Sequence, residues 1–169
     1  AKTLFPYTTL FRSADRGQFV GDPAFVHAPG SDWKNLWNAA YLKQRSSLIG
    51  AQSMKVAQPG NPMNTPSAFA PMAAQEEYGT SHISVIDKDG NAVAMTTTIE
   101  AVFGSRLMVN SGQGRPGGFL LNNELTDFSY APTDALGRPI ANRVEGGKRP
   151  RSSMSPTLVF EKDSGKLKM

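Results

Sequence analysis

Gly112, Gly114 and Gly117 stand at the G-x-G-x-x-G spacing of a dinucleotide-binding turn, where glycines let the backbone approach a pyrophosphate. The surroundings argue against that chemistry. Pro116 interrupts the run, Gly118 lengthens it, and no strand–helix–strand pattern encloses it, so a loop is expected. His82 has the side chain of a general base, but no Ser/His/Asp order accompanies it; a lone histidine in a strand is expected to be packed or hydrogen-bonded. The remaining reactive groups fall into four stretches: Gly79-Thr80-Ser81-His82, then Thr98, then Leu120 to Ser129 with Glu124 and Asp127 three apart, then Lys148 to Pro156 with Ser152 and Ser153 adjacent. Taken singly, each has a plain structural reading. Threonine favours strands, acids three apart share one side of a helix, and serines suit turns.

The elements that must hold these groups are uneven in clarity. Thr80–Ile86 (TSHISVI) and Ala92–Ile99 (AVAMTTTI) are β-rich runs separated by Asp87-Lys88-Asp89-Gly90-Asn91, a hairpin pattern. A two-residue Asp-Gly loop would set Ile83 against Thr96. A five-residue loop centred on Asp89 instead pairs Ile83 with Met95, Val85 with Val93, His82 with Thr96 and Thr80 with Thr98. The second register separates apolar from polar faces and is the one expected. It sets two threonine hydroxyls opposite one another at the open end of the hairpin. Ser31–Ile49 reads as a helix, with Trp33, Leu36, Trp37, Ala40, Tyr41 and Leu48 as a core stripe, Ser31 as N-cap and Gly50 as stop. Lys55–Gly79, with four prolines and no sustained period, reads as an extended linker. Thr157–Lys162, Asp163-Ser164-Gly165 and Lys166–Met169 read as strand, turn and returning strand, cut within the pattern.

Thr3–Ser13 (TLFPYTTLFRS) resembles the in-frame translation of a sequencing-library adapter. Residues 1–13 are therefore set aside as adapter-like, and Phe5, Tyr7 and Phe11 are expected to stay exposed without partners. The sequence reads as a piece of a longer gene.

Composition narrows the function classes. Counting Gly as apolar and Tyr as polar, about 46% of the 169 residues are apolar, the level of a folded domain. Disorder throughout is excluded. No apolar run approaches the roughly 20 residues needed to span a bilayer. There is no Cys and only two His, which argues against a structural zinc site. Eighteen basic against 14 acidic residues give a net charge of +4, and the densest basic patch is only Lys148, Arg149 and Arg151. A nucleic-acid partner would want more clustering and interleaved aromatics, so a solvated or locally paired turn is expected there.

Taken together and in order, the four stretches resemble the γ-glutamyltranspeptidase family (γ-glutamyltransferase, glutathione hydrolase). The resemblance runs from about Ala14 to Met169 and is densest over Thr80–Pro156. It implies an α+β N-terminal-nucleophile (Ntn) hydrolase with a four-layer αββα sandwich. It also implies a zymogen that cleaves itself between Gly79 and Thr80, so that 14–79 closes a large subunit (helix plus linker) and 80–169 opens a small one. Thr80 would then be the nucleophile. A threonine hydroxyl needs a base, and the α-amino group freed by cleavage titrates near 8 on the same residue. Thr98 matches the threonine that orients the nucleophile.

Glu124 and Asp127 match positions that bind the α-ammonium of a γ-glutamyl group. Glu100 matches a third such position, which is Asn in several members, a departure that bears on fine specificity. Ser152 and Ser153 match serines that hold the α-carboxylate. The family's arginine clamp would lie in the large subunit outside this sequence, and its oxyanion-hole glycines beyond Met169, so the 169-residue piece is expected to be inactive alone. The implied partners are glutathione or a related γ-glutamyl compound, an amino-acid, peptide or water acceptor, and the sister subunit. No cofactor or metal is implied, and a periplasmic or secreted setting is. Two other readings stay open: a cephalosporin-acylase-like Ntn amidase, and a non-catalytic β-rich binding module.

Overall fold

A computed structural model describes residues 5–52, 54–76, 79–110, 112, 114 and 117–168. Pro116, Ala1–Leu4 and Met169 lie outside the described residues. Two compact units make up the chain: residues 1–75 with 128–151, and residues 76–127 with 152–169.

The first unit begins with helix α1 (Phe5–Phe19), which runs through the adapter-like stretch. Phe11, Asp15, Gln18 and Phe19 follow i, i+4, i+7, i+8 spacing and share one face. Phe11 is buried, not exposed as expected, because the Arg45 guanidinium lies 4.4 Å from its ring centroid while an Arg45 Nη2 donates to Asp15 Oδ1 at 3.1 Å. Asp15 also accepts from the Tyr41 hydroxyl at 2.8 Å and from the Gly60 N–H at 2.7 Å. Burial and the neighbouring Asp15 carboxylate push the Tyr41 phenol well above its usual range.

The single helix expected over Ser31–Ile49 is broken into three. Residues Pro29–Ser31 and Trp33–Trp37 are 3₁₀ turns, and α2 spans only Ala39–Ser46. Local hydrogen bonding is the reason. The Asp32 carboxylate accepts from Lys34 N–H at 2.8 Å and the Asn38 carboxamide oxygen from Ala40 N–H at 2.9 Å, so each starts a new helical segment. Asn38 itself is extended, with ψ 136°. Ser31 is not an N-cap; it sits at φ 65° inside the preceding turn region. The helix stops at Ser46, before Gly50, where the Ser46 and Ser47 hydroxyls bind the Lys43 and Gln44 carbonyls. Of the expected stripe only Tyr41 is buried; Trp37 and Leu48 are more than half exposed.

The proline-rich stretch is docked rather than merely extended. Ala70 is fully buried and bridges Ile140, its N–H donating to the Pro139 carbonyl at 2.9 Å. The basic patch is paired internally, as expected. Arg149 meets Asp22 through Nε, Nη2 and its own N–H, and the buried Lys148 ammonium donates to the Ala141 carbonyl at 2.8 Å.

The second unit is built on hairpins. Strands β1 (Ser81–Ile86) and β2 (Ala92–Thr97) are antiparallel, with His82 opposite Thr96, Ile83 opposite Met95 and Val85 opposite Val93. This is the register expected from the five-residue loop. Within that loop Asp87 accepts from the N–H groups of Asp89 and Asn91 and from Asn91 Nδ2. Strands β3 (Met108–Asn110) and β4 (Gly118–Leu120) form a second antiparallel pair, which the pattern reading did not anticipate. The G-x-G-x-x-G run therefore connects two antiparallel strands, and a strand rather than a helix follows it directly. At Gly118 an added Cβ would run into the Val109 carbonyl oxygen. The strands expected near the end reduce to one antiparallel bridge, Phe160 with Leu167, closed by Gly165 at φ 65°.

Candidate active site

The hairpin register determines where the chemistry of the second unit gathers. Thr80 directly precedes β1 and Thr98 directly follows β2, so continuing the ladder by one step sets them opposite one another. The Thr98 hydroxyl donates to the Gly79 carbonyl oxygen at 3.3 Å and accepts from the Glu100 N–H at 2.8 Å. Glu100 is buried at φ 71°, in the left-handed region. That sparsely populated conformation turns the chain out of β2 and carries the Glu100 carboxylate inward.

Glu124–Asp127 is a 3₁₀ turn. In 3₁₀ geometry residues i and i+3 eclipse, so the two acids stand on the same side. Both are half-buried. Ser152 and Ser153 are exposed and lie outside regular secondary structure, and Ser152 Oγ accepts from the Met154 N–H at 3.1 Å.

These pieces enclose one cavity of about 80 Å³, lined by Thr80, Thr98, Glu100, Glu124, Asp127, Ser152, Ser153 and Met154. All seven side chains singled out in the sequence are brought together there, with Gly79 on its rim through Thr98. The three carboxylates of this cavity crowd one another. Glu124 Oε1 is buried without a hydrogen-bond partner. Burial first, then the Asp127 charge and a hydrogen bond with Asp127, then the Glu100 charge, raise the Glu124 carboxyl above its ordinary value. An ammonium group placed among three carboxylates would relieve that repulsion.

The family model described as Gamma-glutamyltranspeptidase matches residues 8–169. The chain belongs to this family. Curated γ-glutamyltranspeptidase relatives include the glutathione hydrolase proenzyme of Bacillus subtilis strain 168, 39% identical over 167 residues, which are 95% of this chain and 26% of that protein. The glutathione hydrolase proenzyme of Escherichia coli K12 is 40% identical over 152 residues, 88% of this chain and 24% of that one. The chain thus spans about a quarter of the length of these relatives. A solved γ-glutamyltranspeptidase of Pseudomonas nitroreducens, in complex with L-DON, is 44% identical over 51% of this chain and 43% of its own, with a TM-score of 0.39.

His82 is not part of the cavity of this γ-glutamyltranspeptidase segment. Its ring lies between the Thr96 and Ser84 hydroxyls, at 2.8 and 3.0 Å, as a hydrogen-bonded strand residue does. Among the described residues no cluster of His, Asp and Glu has the arrangement of a metal site, and no helix is long and apolar enough to cross a membrane. Two residues near the site lie within the stretches singled out in the sequence but were given no role there. Met154 contributes apolar wall beside the serines. Asn123 does not line the cavity but donates from Nδ2 to Glu100 Oε2; in the sequence it stands directly before Glu124.

Proposed function

We propose that the protein transfers a γ-glutamyl group from glutathione or a related amide to water, an amino acid or a peptide, through an ester on Thr80. The observation that carries this reading is the single cavity in which two threonines, three carboxylates and two serines converge. The proenzyme names of the relatives support the first step, self-cleavage. In that step the Thr80 hydroxyl adds to the Gly79 carbonyl, the Gly79–Thr80 C–N bond breaks, and the resulting ester is hydrolysed by water. The products are a Gly79 carboxylate and a free Thr80 amine. The Thr98 hydroxyl, already donating to that carbonyl oxygen, would polarise it.

In turnover the Thr80 amine accepts the hydroxyl proton as Oγ attacks the γ-carbonyl of the donor. The tetrahedral centre collapses, the proton passes to the leaving amine, and a γ-glutamyl ester remains. Water or an acceptor amine then attacks the ester and regenerates the hydroxyl. Glu100, Glu124 and Asp127 hold the α-ammonium; Ser152 and Ser153 donate to the α-carboxylate. This chemistry needs no resident cofactor. The reading extends to a four-layer αββα sandwich in the whole protein and to a large and a small subunit meeting at Gly79–Thr80. The exposed apolar face of the β1–β2 hairpin (Ile83, Val85, Val93 and Met95) is the surface a further layer of such a sandwich would cover.

The test is substitution in the full-length protein. Thr80→Ala is expected to leave one uncut chain by mass spectrometry and no release of product from a γ-glutamyl anilide, since one hydroxyl serves both steps. Thr80→Ser is expected to keep part of both. Substantial self-cleavage in the Ala variant overturns the assignment.

A further inference from the structure

The left-handed turn at Glu100 is held, beyond the Thr98 hydroxyl on the Glu100 N–H, by one residue that does not itself line the cavity, Asn123, acting through its backbone and its side chain. The Asn123 N–H donates to the Ile99 carbonyl at 3.3 Å. Asn123 Oδ1 accepts from the Ala101 N–H at 3.0 Å, and Asn123 Nδ2 donates to Glu100 Oε2 at 2.6 Å. Three consecutive residues, 99 to 101, are thus fixed by Asn123. The same Nδ2 donates to Thr126 Oγ1 at 3.1 Å, and the Asn123 carbonyl accepts from both the Thr126 hydroxyl and the Thr126 N–H at 2.9 Å. Thr126 lies within the turn that carries Glu124 and Asp127. The orientation of the carboxamide is dictated by its partners: Glu100 needs a donor and the Ala101 N–H an acceptor, so the reverse orientation breaks both bonds.

We propose that Asn123 is a positioning residue that clamps the Thr98–Glu100 wall to the Glu124–Asp127 turn and thereby fixes the spacing of the three carboxylates around the donor's α-ammonium. The proposal rests on the γ-glutamyl reading above and adds a residue to it. A glutamine is too long to reach 99–101 and Thr126 together. An aspartate has no donor for Glu100 and sets a carboxylate against a carboxylate. The amide–carboxylate bond is directional but reversible in sense, so exchanging the two groups should restore it: N123D with E100Q keeps one amide, one carboxylate and the same net charge. A role in general packing predicts no such rescue.

The experiment is a double-variant cycle in the full-length protein, with KM and kcat measured on a γ-glutamyl anilide for wild type, N123D, E100Q and the double variant. N123D is expected to raise KM about tenfold or more, the cost of losing a bond to a charged group, with a smaller effect on kcat. The double variant should show a KM rise well below the product of the two single rises. A twofold or smaller change in N123D, or single rises that simply multiply, overturns the proposal. If N123D does not accumulate folded, the double variant decides alone: its recovery as folded, processed protein supports the clamp and its loss overturns it. Failure of the wild type to act on the anilide is a different outcome, and it refutes the γ-glutamyl reading rather than the clamp.

Discussion

Glu124 is asked to be charged in a place that disfavours charge. Its carboxyl is raised above the ordinary value by burial and by its acidic neighbours Asp127 and Glu100. The sign follows from linkage. The folded state holds the Glu124 proton to a higher pH than the unfolded chain does, so folding stability falls as pH rises from about 4.5 through the raised value. Glu124→Gln removes that penalty. The variant should match the wild type in denaturant midpoint at pH 4 and exceed it at pH 8, while its KM for a γ-glutamyl donor rises. A midpoint lowered at pH 8 would show that the carboxylate has a stabilising partner in the ligand-free state. Stability given up for binding is the usual relation at a functional site. The two roles of Glu124 were not equally visible beforehand. Its charge and its i, i+3 relation to Asp127 are written in the residue types. The shared burial that perturbs it depends on Glu100, 24 positions away, arriving through a left-handed turn that no local pattern announces.

At the scale of elements, the β1–β2 hairpin was legible and the Ser31–Ile49 helix was not, and the contrast has a physical source. A strand pair has period 2, so a one-residue slip would move Ile83, Val85, Val93 and Met95 to the wrong face, and only one loop length avoids it. The loop then supplies its own lock in Asp87, whose carboxylate is held below the usual range by hydrogen bonds, first from the Asn91 side chain and next from the Asn91 backbone. The helix had a valid apolar stripe, but Asp32 and Asn38 compete for backbone N–H groups inside it, and capping wins over periodicity. Asp87→Ala should accordingly loosen the hairpin without shifting its register. Amide exchange at Ile83, Val85 and Val93, whose N–H groups face the partner strand, is expected to quicken several-fold at pH 7. The difference should shrink as the pH falls below about 3.8, because a depressed carboxylate contributes above its unfolded value and loses that contribution on protonation. Unchanged exchange would place the stability of the hairpin in its cross-strand pairs alone.

At the scale of the whole chain, apolar burial is divided unequally. Every buried apolar side chain among the described residues lies in the first unit: Phe11, Phe19, Val26, Tyr41, Ala70, Phe128, Ile140 and Ala141. The second unit, which holds the candidate site, buries none, and β1 is exposed along its entire length. Exposed Ile83, Val85, Val93 and Met95 form a contiguous apolar face of the sort that drives association, and a two-stranded hairpin with nothing over it is marginal in water. The geometry of the site depends on that hairpin, since Thr80 and Thr98 are set opposite each other only while its ladder holds. The 169-residue chain alone is therefore expected to bind a hydrophobic dye, to self-associate at micromolar concentration, and to exchange the β1–β2 amides rapidly. It should neither split at Gly79–Thr80 nor release product from a γ-glutamyl anilide. Size-exclusion chromatography, amide exchange and mass spectrometry of the incubated chain check each part. A monomer that unfolds cooperatively and separates into residues 1–79 and 80–169 would show that the hairpin is held by the second unit itself and needs no covering layer.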